Sequence, residues 1–516
     1  MSPVKLLTVG MTLHDHNISY FDGEQVRYCK FERIKQIKHF KFDTLWEWIK
    51  EAEDTWGIKI EDIDEIALDL DPDKVSMEFF NSKEYQGIYT SERLYYKIPD
   101  KSNPFTKYGV KNIWHINHHY AHSLSSWMLE DPNNRPSIRV VVDGAGDGRT
   151  VTVFKHNKLI KFIPVTNGSI GFGMEEIGTW LGIDSFLQID HPGKIMGLQS
   201  YGNIDFEFLK TLEQFGMDEV SSIFDRTLWA QHKKDEFLSR MVPLDWVKTV
   251  HERVGDLLVE FFSTYADPDD VISYTGGVAQ NVIWNTKLIK KFKNLIIPPH
   301  SSDEGTSLGS LEFLRIRNNL PPMKLNNFPY VQSDVAPSTA PNKDAVSFAA
   351  DALSKGKIVG WYQGHGEIGP RALGHRSILM DPRIPNGKEI INAVKKRENY
   401  RPFGASILQE HLNDYFIEGI NDRYMLFVNT FKKSGFESIT HVDGTCRVQS
   451  VSNDGGSFRQ LLEEFYALTG CPILLNTSLN VNGKPIAGYT ESAKDLFYSS
   501  PIDYMIIGDE ILKKQD

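Results

Sequence analysis

The sequence predicts a two-part α/β protein, in which a duplicated first domain is followed by a smaller second one. Three observations carry this. At 516 residues the chain is longer than one ordinary hydrophobic core requires. Two separate stretches, starting near Lys5 and Ile138, follow the same plan of strands and turns. Between them and the C-terminal third lies NNLPPMKLNNFPYVQSDVAPSTAPNKD, whose five prolines fix φ and remove backbone donors. The boundaries expected are 1–325 for the first domain, 326–345 for a Pro-rich linker and 346–516 for the second domain.

Taken in order, KLLTVG reads as a strand, MTLHDHN as a loop and ISYF as a strand, with Asp22-Gly23 turning into EQVRYC. Later, IRVVVDG reads as a strand, AGDGR as a Gly-rich turn and TVTVF as a strand, with His156-Asn157 turning into KLIKFI. Each is a three-stranded meander whose first turn carries Asp, Gly and polar residues, and each is followed by helical segments. That is the plan of the actin/hexokinase-like fold, with two turns facing one another across a cleft. Past the linker, DAVSFAADALSKG reads as a helix closed by glycine and KIVGWY as a strand. SFRQLLEEFYALTG, CPILLN and DYMIIG continue the alternation.

Composition narrows the function classes. The first apolar stretch lacks the basic region and small-residue cleavage site of a signal peptide, so a strand in a cytoplasmic protein is expected. No run of about 18 apolar residues offers a membrane span. The three cysteines, Cys29, Cys446 and Cys471, are scattered without a CxxC pair, which suits a reducing compartment and excludes a cysteine zinc site. A formal charge of −11 argues against broad, non-specific nucleic-acid binding, while leaving room for a local basic groove.

Several motifs carry chemistry. In INHHYAHSLSS, a helix would put His118 and His122 four apart and His119 and His122 three apart, so either pair could share a face. Asp143 enters a turn with Gly144, Gly146 and Gly148, either as a turn cap or as a carboxylate beside a phosphate or cation. Gly276 and Gly277 precede a helix expected near Ala279, either as a tight strand-to-helix turn with no ligand or, as Asn281 in the first turn favours, as an anion site that binds a nucleotide. Asp303, ahead of Gly305 and another helix, is either an N-cap or a further acidic ligand. Two histidines with one or two carboxylates suit Fe(II), Mn(II) or Zn(II). Arg371 and Arg376 flank a Gly-Pro turn, and Lys395, Arg397 and Arg401 fall in VKKRENYRPFG, where guanidinium forks match phosphate oxygens. Arg447, Asn476, Ser478 and Asn480 add a cation and a polar strand end.

Assembled, the motifs NHHYAH, GKIMGLQSYG, GGVAQN, GEIGPRALGHRSILMDPR, KKRENYRPF, DGTCRVQSV and LLNTSLNVNGKPI resemble, almost end to end, the O-carbamoyltransferases that modify nodulation factors, cephalosporins and aminoglycosides such as tobramycin. The resemblance implies an N-terminal actin/hexokinase-like (ASKHA) domain and a C-terminal YrdC-like domain. It implies that the YrdC-like domain makes carbamoyl adenylate from carbamoyl phosphate and ATP, with Mg accompanying ATP, and passes it to the first domain. The KxR signature falls on Lys395 and Arg397, the SxN signature on Ser478 and Asn480, and further phosphate contacts on Arg371, Arg376, Arg401 and Arg447. The metal ligands map onto His118, His122, Asp143 and Asp303, with Fe(II) expected and Mn or Zn as alternatives. His119 is expected not to bind. Adenylate contacts are expected at Gly144, Gly146, Lys194, Gly276, Gly277 and Asn281. The acid–base histidine maps onto His14, with His16 its neighbouring rival because the first hairpin is about one residue shorter than usual.

The chain departs from the pattern at His365, where an arginine is usual, and in HPGKIMG, which keeps Lys194 but replaces Glu-Gly-Lys. The leading reading is ATP-dependent O-carbamoyl transfer to a hydroxyl on a small alcohol, sugar, antibiotic or hydroxymethylated pyrimidine in nucleotide or DNA. Threonylcarbamoylation of tRNA and a non-catalytic nucleotide-binding scaffold are the alternatives. Hydrogenase-maturation carbamoylation would bring cysteine-rich modules that three scattered cysteines cannot form. Aromatics in FFNSKEYQGIYTSERLYYKIP (79–99) either stack on an acceptor or pack a surface lobe. A homodimer is the oligomer considered.

Overall fold

The computed structural model describes residues 4–12, 14–69, 93–98, 103–332 and 338–514. They form two compact units. The first comprises residues 1–31 and 39–326, and the second residues 32–38 and 327–516.

The first unit holds two sheets built on one plan. β1 (Leu6–Gly10), β2 (Asn17–Phe21) and β3 (Val26–Lys30) form an antiparallel meander, and β4 (Glu65–Leu68) and β6 (Asn112–Ile116) extend it in parallel from β1. β5 (Tyr95–Lys97) pairs antiparallel at the edge, giving the order β3-β2-β1-β4-β6-β5. The second sheet repeats this with β7 (Ile138–Gly146), β8 (Arg149–Lys155) and β9 (Lys158–Pro164), followed in parallel by β10 (Val271–Thr275) and β11 (Asn294–Ile296). Its order is β11-β10-β7-β8-β9. Both meanders expected from the sequence are present, and their repetition is the actin/hexokinase-like plan.

The local causes are visible. Asp22 Oδ1 accepts from the N–H groups of Glu24 and Gln25 at 2.9 and 2.7 Å, closing the first hairpin. His156 and Asn157 both take positive φ (47° and 61°), the geometry whose twist matches a two-residue hairpin. The crossover into β4 is the Leu45–Trp56 helix, which buries Leu45, Trp48, Ile49 and Ala52 at helical spacing. Thr44 and Glu47 start it with a reciprocal capping box, and Gly57 (φ 62°) ends it.

The second unit is an eight-stranded mixed sheet, in the order β15-β16-β14-β17-β13-β12-β18-β19. Its strands are β12 (Val359–Tyr362), β13 (Arg376–Met380), β14 (Gly404–Leu408), β15 (Val428–Thr430), β16 (Thr445–Val451), β17 (Ile473–Ser478), β18 (Tyr504–Ile507) and β19 (Glu510–Lys513). The helices Lys343–Ser354, Gly456–Thr469 and Thr490–Ser499 contribute Val346, Leu461, Phe465 and Phe497 to the core shared with the strands. Part of the Pro-rich segment is fastened to this unit. Pro329 O accepts from Ile368 N at 2.9 Å, and the Tyr330 ring lies flat on His375, centroids 3.4 Å apart.

Among the described residues, no helix is long and apolar enough to cross a membrane.

Candidate metal centre and second-unit cation cluster

β6 delivers the chain to Asn117, whose side chain accepts from Tyr120 N and starts the helix His118–Ser125. Asp147 adds a carboxylate at this helix start, accepting from His118 N (2.7 Å) and from Asn117 Nδ2 (3.0 Å). The histidine helix lies against β7 and against the helix Thr306–Arg317, which itself packs on β1 and β2. That approach requires Gly309, because a Cβ there would overlap the Ala121 carbonyl oxygen. Asp303 sits on the single 3-10 turn Asp303–Gly305 that opens the same helix. Asp143 lies where β7 loses register with β8, between Val142 and Gly146, and such irregularities re-aim a side chain.

These elements bring His118, His122, Asp143 and Asp303 together, one ligand atom from each lying within 4.8 Å of the others. His118 Nε2 faces His122 Nε2 at 3.0 Å, and both approach Asp303 Oδ1, at 3.5 and 3.3 Å. His118 Nε2 is also 3.5 Å from Asp143 Oδ2. All four side chains are buried. Burial works against the His118 charge, yet the carboxylates of Asp303, Asp143 and Asp69 hold its pKa well above the ordinary value. Asp303 is held well below the usual carboxylate range, against burial, by His14, His118 and His122. Two imidazole lone pairs and two carboxylates meeting at one buried point call for a cation, so this donor set fits a divalent metal.

His119 lies outside this set. Its Nδ1 meets Thr152 Oγ1 at 3.0 Å, and burial pushes its pKa well below the ordinary value.

His14 and His16 have different surroundings. His16 Nε2 donates to Thr12 O at 2.7 Å and its Nδ1 accepts from Phe42 N at 3.0 Å, while its ring packs on Trp48. Burial lowers its pKa to about 4. Both His16 nitrogens are therefore committed to the fold. His14 is only partly buried, and its Nε2 points to Asp303 Oδ2 at 3.6 Å. Its Nδ1 lies 2.9 Å from Asp15 Oδ2. Burial opposes the His14 charge, but Asp303 and Asp15 raise its pKa overall.

The glycine-rich turns do more packing than the sequence implies. A Cβ on Gly146 would overlap the His118 ring, and a Cβ on Gly171 would lie 2.8 Å from Gly144 Cα. Gly276 takes φ 95° against the Val142 carbonyl, and Gly277 N donates to Asp143 Oδ1 at 2.6 Å. A 3-10 turn, Gly277–Gln280, stands where the helix is expected near Ala279, and the helix proper is Val282–Lys291. Asn281 is its N-cap, accepting from Ile283 N and Trp284 N, and its Nδ2 meets His251 Nε2 at 3.0 Å. Lys194, buried on the helix His191–Leu198, donates to Asp184 O.

In the second unit, Lys395 Nζ donates to Ser478 Oγ at 3.0 Å and to Asn480 Oδ1 at 2.6 Å, with the Ser478 and Asn480 carbonyls at 2.5 and 2.9 Å. Burial, then Arg397 and Arg401, push its pKa well below the usual lysine value. Arg397 lies 4.2 Å over the Phe403 ring and donates to Asn392 Oδ1 at 2.7 Å. Burial and the nearby Arg401 lower Arg447 to about 10. Lys395, Arg397, Arg401 and Arg447 thus form a cluster of like charges, which favours an anion.

Asn476 Nδ2 donates to Ser406 Oγ at 2.9 Å inside the sheet, and Arg371 stands half-buried ahead of β13. Arg376 is turned onto the backbone, donating to the carbonyls of Gln363, His375 and Gly364 at 2.6, 3.0 and 2.9 Å. His365 Nδ1 donates to Gln332 O at 3.2 Å. Of the aromatics in 79–99, Tyr95 packs on Phe313 and Tyr96 on His115, while 79–92 and 99 lie outside the described residues.

Sequence reasoning missed Asp69, Asp15, Lys30, His39 and Asp190, which surround the histidines. Asp69 Oδ1 accepts from Met11 N at 2.5 Å, and its Oδ2 lies 3.8 Å from His118 Nδ1. Its place at the end of the buried strand β4 is the one local signal it carries.

Residues 5–311 match the family described as carbamoyltransferase N-terminus, and residues 350–514 match the carbamoyltransferase C-terminus. The chain is 27% identical to nodulation protein NolNO of Sinorhizobium fredii, over 96% of this chain and 78% of that one. It is also 27% identical to the 3'-hydroxymethylcephem-O-carbamoyltransferase of Amycolatopsis lactamdurans, over 73% of this chain and 76% of that enzyme. Among solved structures, HypF of T. kodakarensis is similar at 14% identity and a TM-score of 0.39, over 61% of this chain and 48% of that one. Since the N-terminal match alone spans more than half of its residues, the chain belongs to the carbamoyltransferase family and is a transferase.

Proposed function

We propose that the protein is an ATP-dependent O-carbamoyltransferase that takes its carbamoyl group from carbamoyl phosphate and gives it to a hydroxyl. The observation that carries this reading is the convergence of His118, His122, Asp143 and Asp303 beside His14, whose Nε2 is 3.6 Å from Asp303. The donor would be made in the second unit, which has the YrdC-like role. There carbamoyl phosphate and water give carbamate and phosphate, and carbamate and ATP, with Mg, give carbamoyl adenylate and pyrophosphate. Lys395, Arg397, Arg401 and Arg447 hold the phosphates, and Ser478 and Asn480 orient the Lys395 ammonium.

In the first unit the acceptor hydroxyl oxygen attacks the carbamoyl carbon, the bond to the adenylate oxygen breaks, and AMP leaves. His14 takes the hydroxyl proton at Nε2, since its Nδ1 faces Asp15. His118, His122, Asp143 and Asp303 would hold Fe(II), Mn(II) or Zn(II), whose Lewis acidity stabilises negative charge on the leaving phosphate. The buried walls around the quartet limit loss of the activated carbamoyl group to water.

The test is incubation of the metal-loaded protein with ATP, Mg and radiolabelled carbamoyl phosphate across a panel of alcohols, sugars, antibiotics and hydroxymethylated pyrimidines, DNA included. Labelled carbamate ester and equimolar AMP are expected from at least one of them. No carbamoyl-phosphate-dependent pyrophosphate release, and no labelled product from any acceptor, would reject the reading.

A further inference from the structure

Asp15, in the loop between β1 and β2, is gripped from three sides. Its Oδ2 accepts from His14 Nδ1 and from His39 Nδ1, each at 2.9 Å, and its Oδ1 lies 3.1 Å from Lys30 Nζ at the end of β3. Lys30 is buried and also lies 4.0 Å from Glu304, the residue after Asp303. The other His39 nitrogen, Nε2, reaches Asp190 Oδ1 at 3.2 Å. Asp190 immediately precedes the helix His191–Leu198, which carries Lys194.

His14, Asp15 and His39 are close enough to bind a metal of their own, but their arrangement favours another role. Both histidines already satisfy one carboxylate oxygen, and the Lys30 ammonium beside it disfavours a second cation. Each His39 nitrogen faces a carboxylate, so the ring serves as a two-ended donor that ties two acidic residues together. Asp15 and His39 also take left-handed backbone, φ 56° and 55°. Non-glycine residues persist there when their surroundings over-determine them.

We infer that Asp15 and His39 are positioning residues for His14: Asp15 fixes the ring with Nε2 toward Asp303, and His39 fastens that clamp to Asp190, at the head of the helix bearing Lys194. With Nδ1–H held by Asp15, the Nε2 lone pair is the one presented to the acceptor hydroxyl. The base is therefore oriented from the side of the first unit where the His191–Leu198 helix lies. The role in turnover rests on His14 being the base of the proposed transfer.

Two His39 variants separate the arms. An asparagine amide reaches about where Nδ1 lies, and a glutamine amide about where Nε2 lies, so His39→Asn keeps the Asp15 contact and His39→Gln keeps the Asp190 contact. Turnover is read as AMP and labelled product formed from ATP and radiolabelled carbamoyl phosphate, with Mn(II) loaded and glycerol as acceptor. Asp15→Asn and His39→Gln should lower kcat about tenfold or more, with KM for carbamoyl phosphate and Mn(II) affinity within about threefold of wild type. His39→Asn and Asp190→Asn should each lower kcat by a similar, smaller factor, and combining them should lower it no further. Wild-type kcat in these variants, loss of Mn(II), or additive effects would overturn the inference.

Nitrogen-15 histidine NMR of the full-length, metal-free protein gives a readout that needs no turnover, with His14 assigned by the signal missing in His14→Asn. At a pH high enough that the His14 ring is neutral, one tautomer, protonated at Nδ1, is expected in the wild type, with averaging between both in Asp15→Asn or, should that variant not fold, in His39→Gln. Averaging in the wild type would overturn the inference even if carbamoyl transfer is found. A fixed Nδ1–H tautomer in a protein that transfers nothing would reject the proposed reaction and leave the clamp standing.

Discussion

His118 Nε2 and His122 Nε2 face each other at 3.0 Å on one side of their helix, and Asp143 and Asp303 close the set. His119, between them in sequence, points to Thr152 instead. His118→Ala and His122→Ala should each weaken Mn(II) or Fe(II) binding about 100-fold, because each removes one of the site's two neutral imidazole donors. His119→Ala should keep metal affinity and lower unfolding free energy by about 2–3 kcal/mol, from the buried cavity and the lost Thr152 partner. Metal titration and denaturant unfolding of the three variants check both statements. Metal retained by His122→Ala would refute the assignment.

His14 and His16 should separate cleanly. His14→Asn should leave metal affinity and stability close to wild type and cut transfer by about 100- to 10,000-fold, the usual contribution of a general base. His16→Ala should instead destabilise by about 2–4 kcal/mol, since it removes contacts to Thr12 O, Phe42 N and the Trp48 face. Urea unfolding and single-turnover transfer, run side by side, distinguish the two.

Lys395 links Ser478 to Asn480 with one ammonium. Lys395→Met should abolish carbamoyl-phosphate-dependent exchange of labelled pyrophosphate into ATP and leave Mn(II) binding unchanged. Exchange at the wild-type rate would remove Lys395 from the adenylate-forming step.

The metal ligands depend on a close helix pair. Gly309→Ala places a methyl against the Ala121 carbonyl and must push the histidine helix away from Asp303. A loss of about 1–3 kcal/mol in stability, together with weakened Mn(II) binding, is expected, whereas an ordinary surface glycine would change neither.

Stability should also depend on pH. Burial lowers His300 and His375 from 6.5 to about 4 in the folded protein. Between these values the unfolded chain binds the extra protons, so both contributions are complete above about pH 6.5 and are lost as pH falls toward 4. Full loss amounts to roughly 3 kcal/mol per ring. Buried Glu304 and Glu312, raised to about 7, act in the opposite sense over the same range, so the histidine share is read by difference: in unfolding midpoints measured between pH 7 and 4, His300→Gln should lose less stability than the wild type. Equal changes in the two proteins would contradict a buried neutral His300.

Much of this was legible in the chain. Alternating apolar residues around Asp22-Gly23 and His156-Asn157 encode hairpins, because turn geometry and strand alternation are local properties. The i,i+4 pair His118 and His122 is likewise a local fact once Asn117 starts a helix. The same local logic did not reveal that the Gly277 N–H serves Asp143. It also gave no hint that Arg376 would turn onto three carbonyls. A glycine pair or an arginine advertises a capacity, and the partner that uses it lies elsewhere in the chain.

By itself the sequence determined the strand and helix pattern, the repeated meander and the set of residues able to bind a cation or a phosphate. Only the tertiary structure decided which of them meet. Asp303 reaches His118 because Gly309 lets two helices touch, and Asp15 is joined to Asp190 through His39. The physical reason is one of range. Backbone preference and amphipathic period act over a few residues, whereas a buried constellation depends on sheet pairing and helix packing across hundreds of positions.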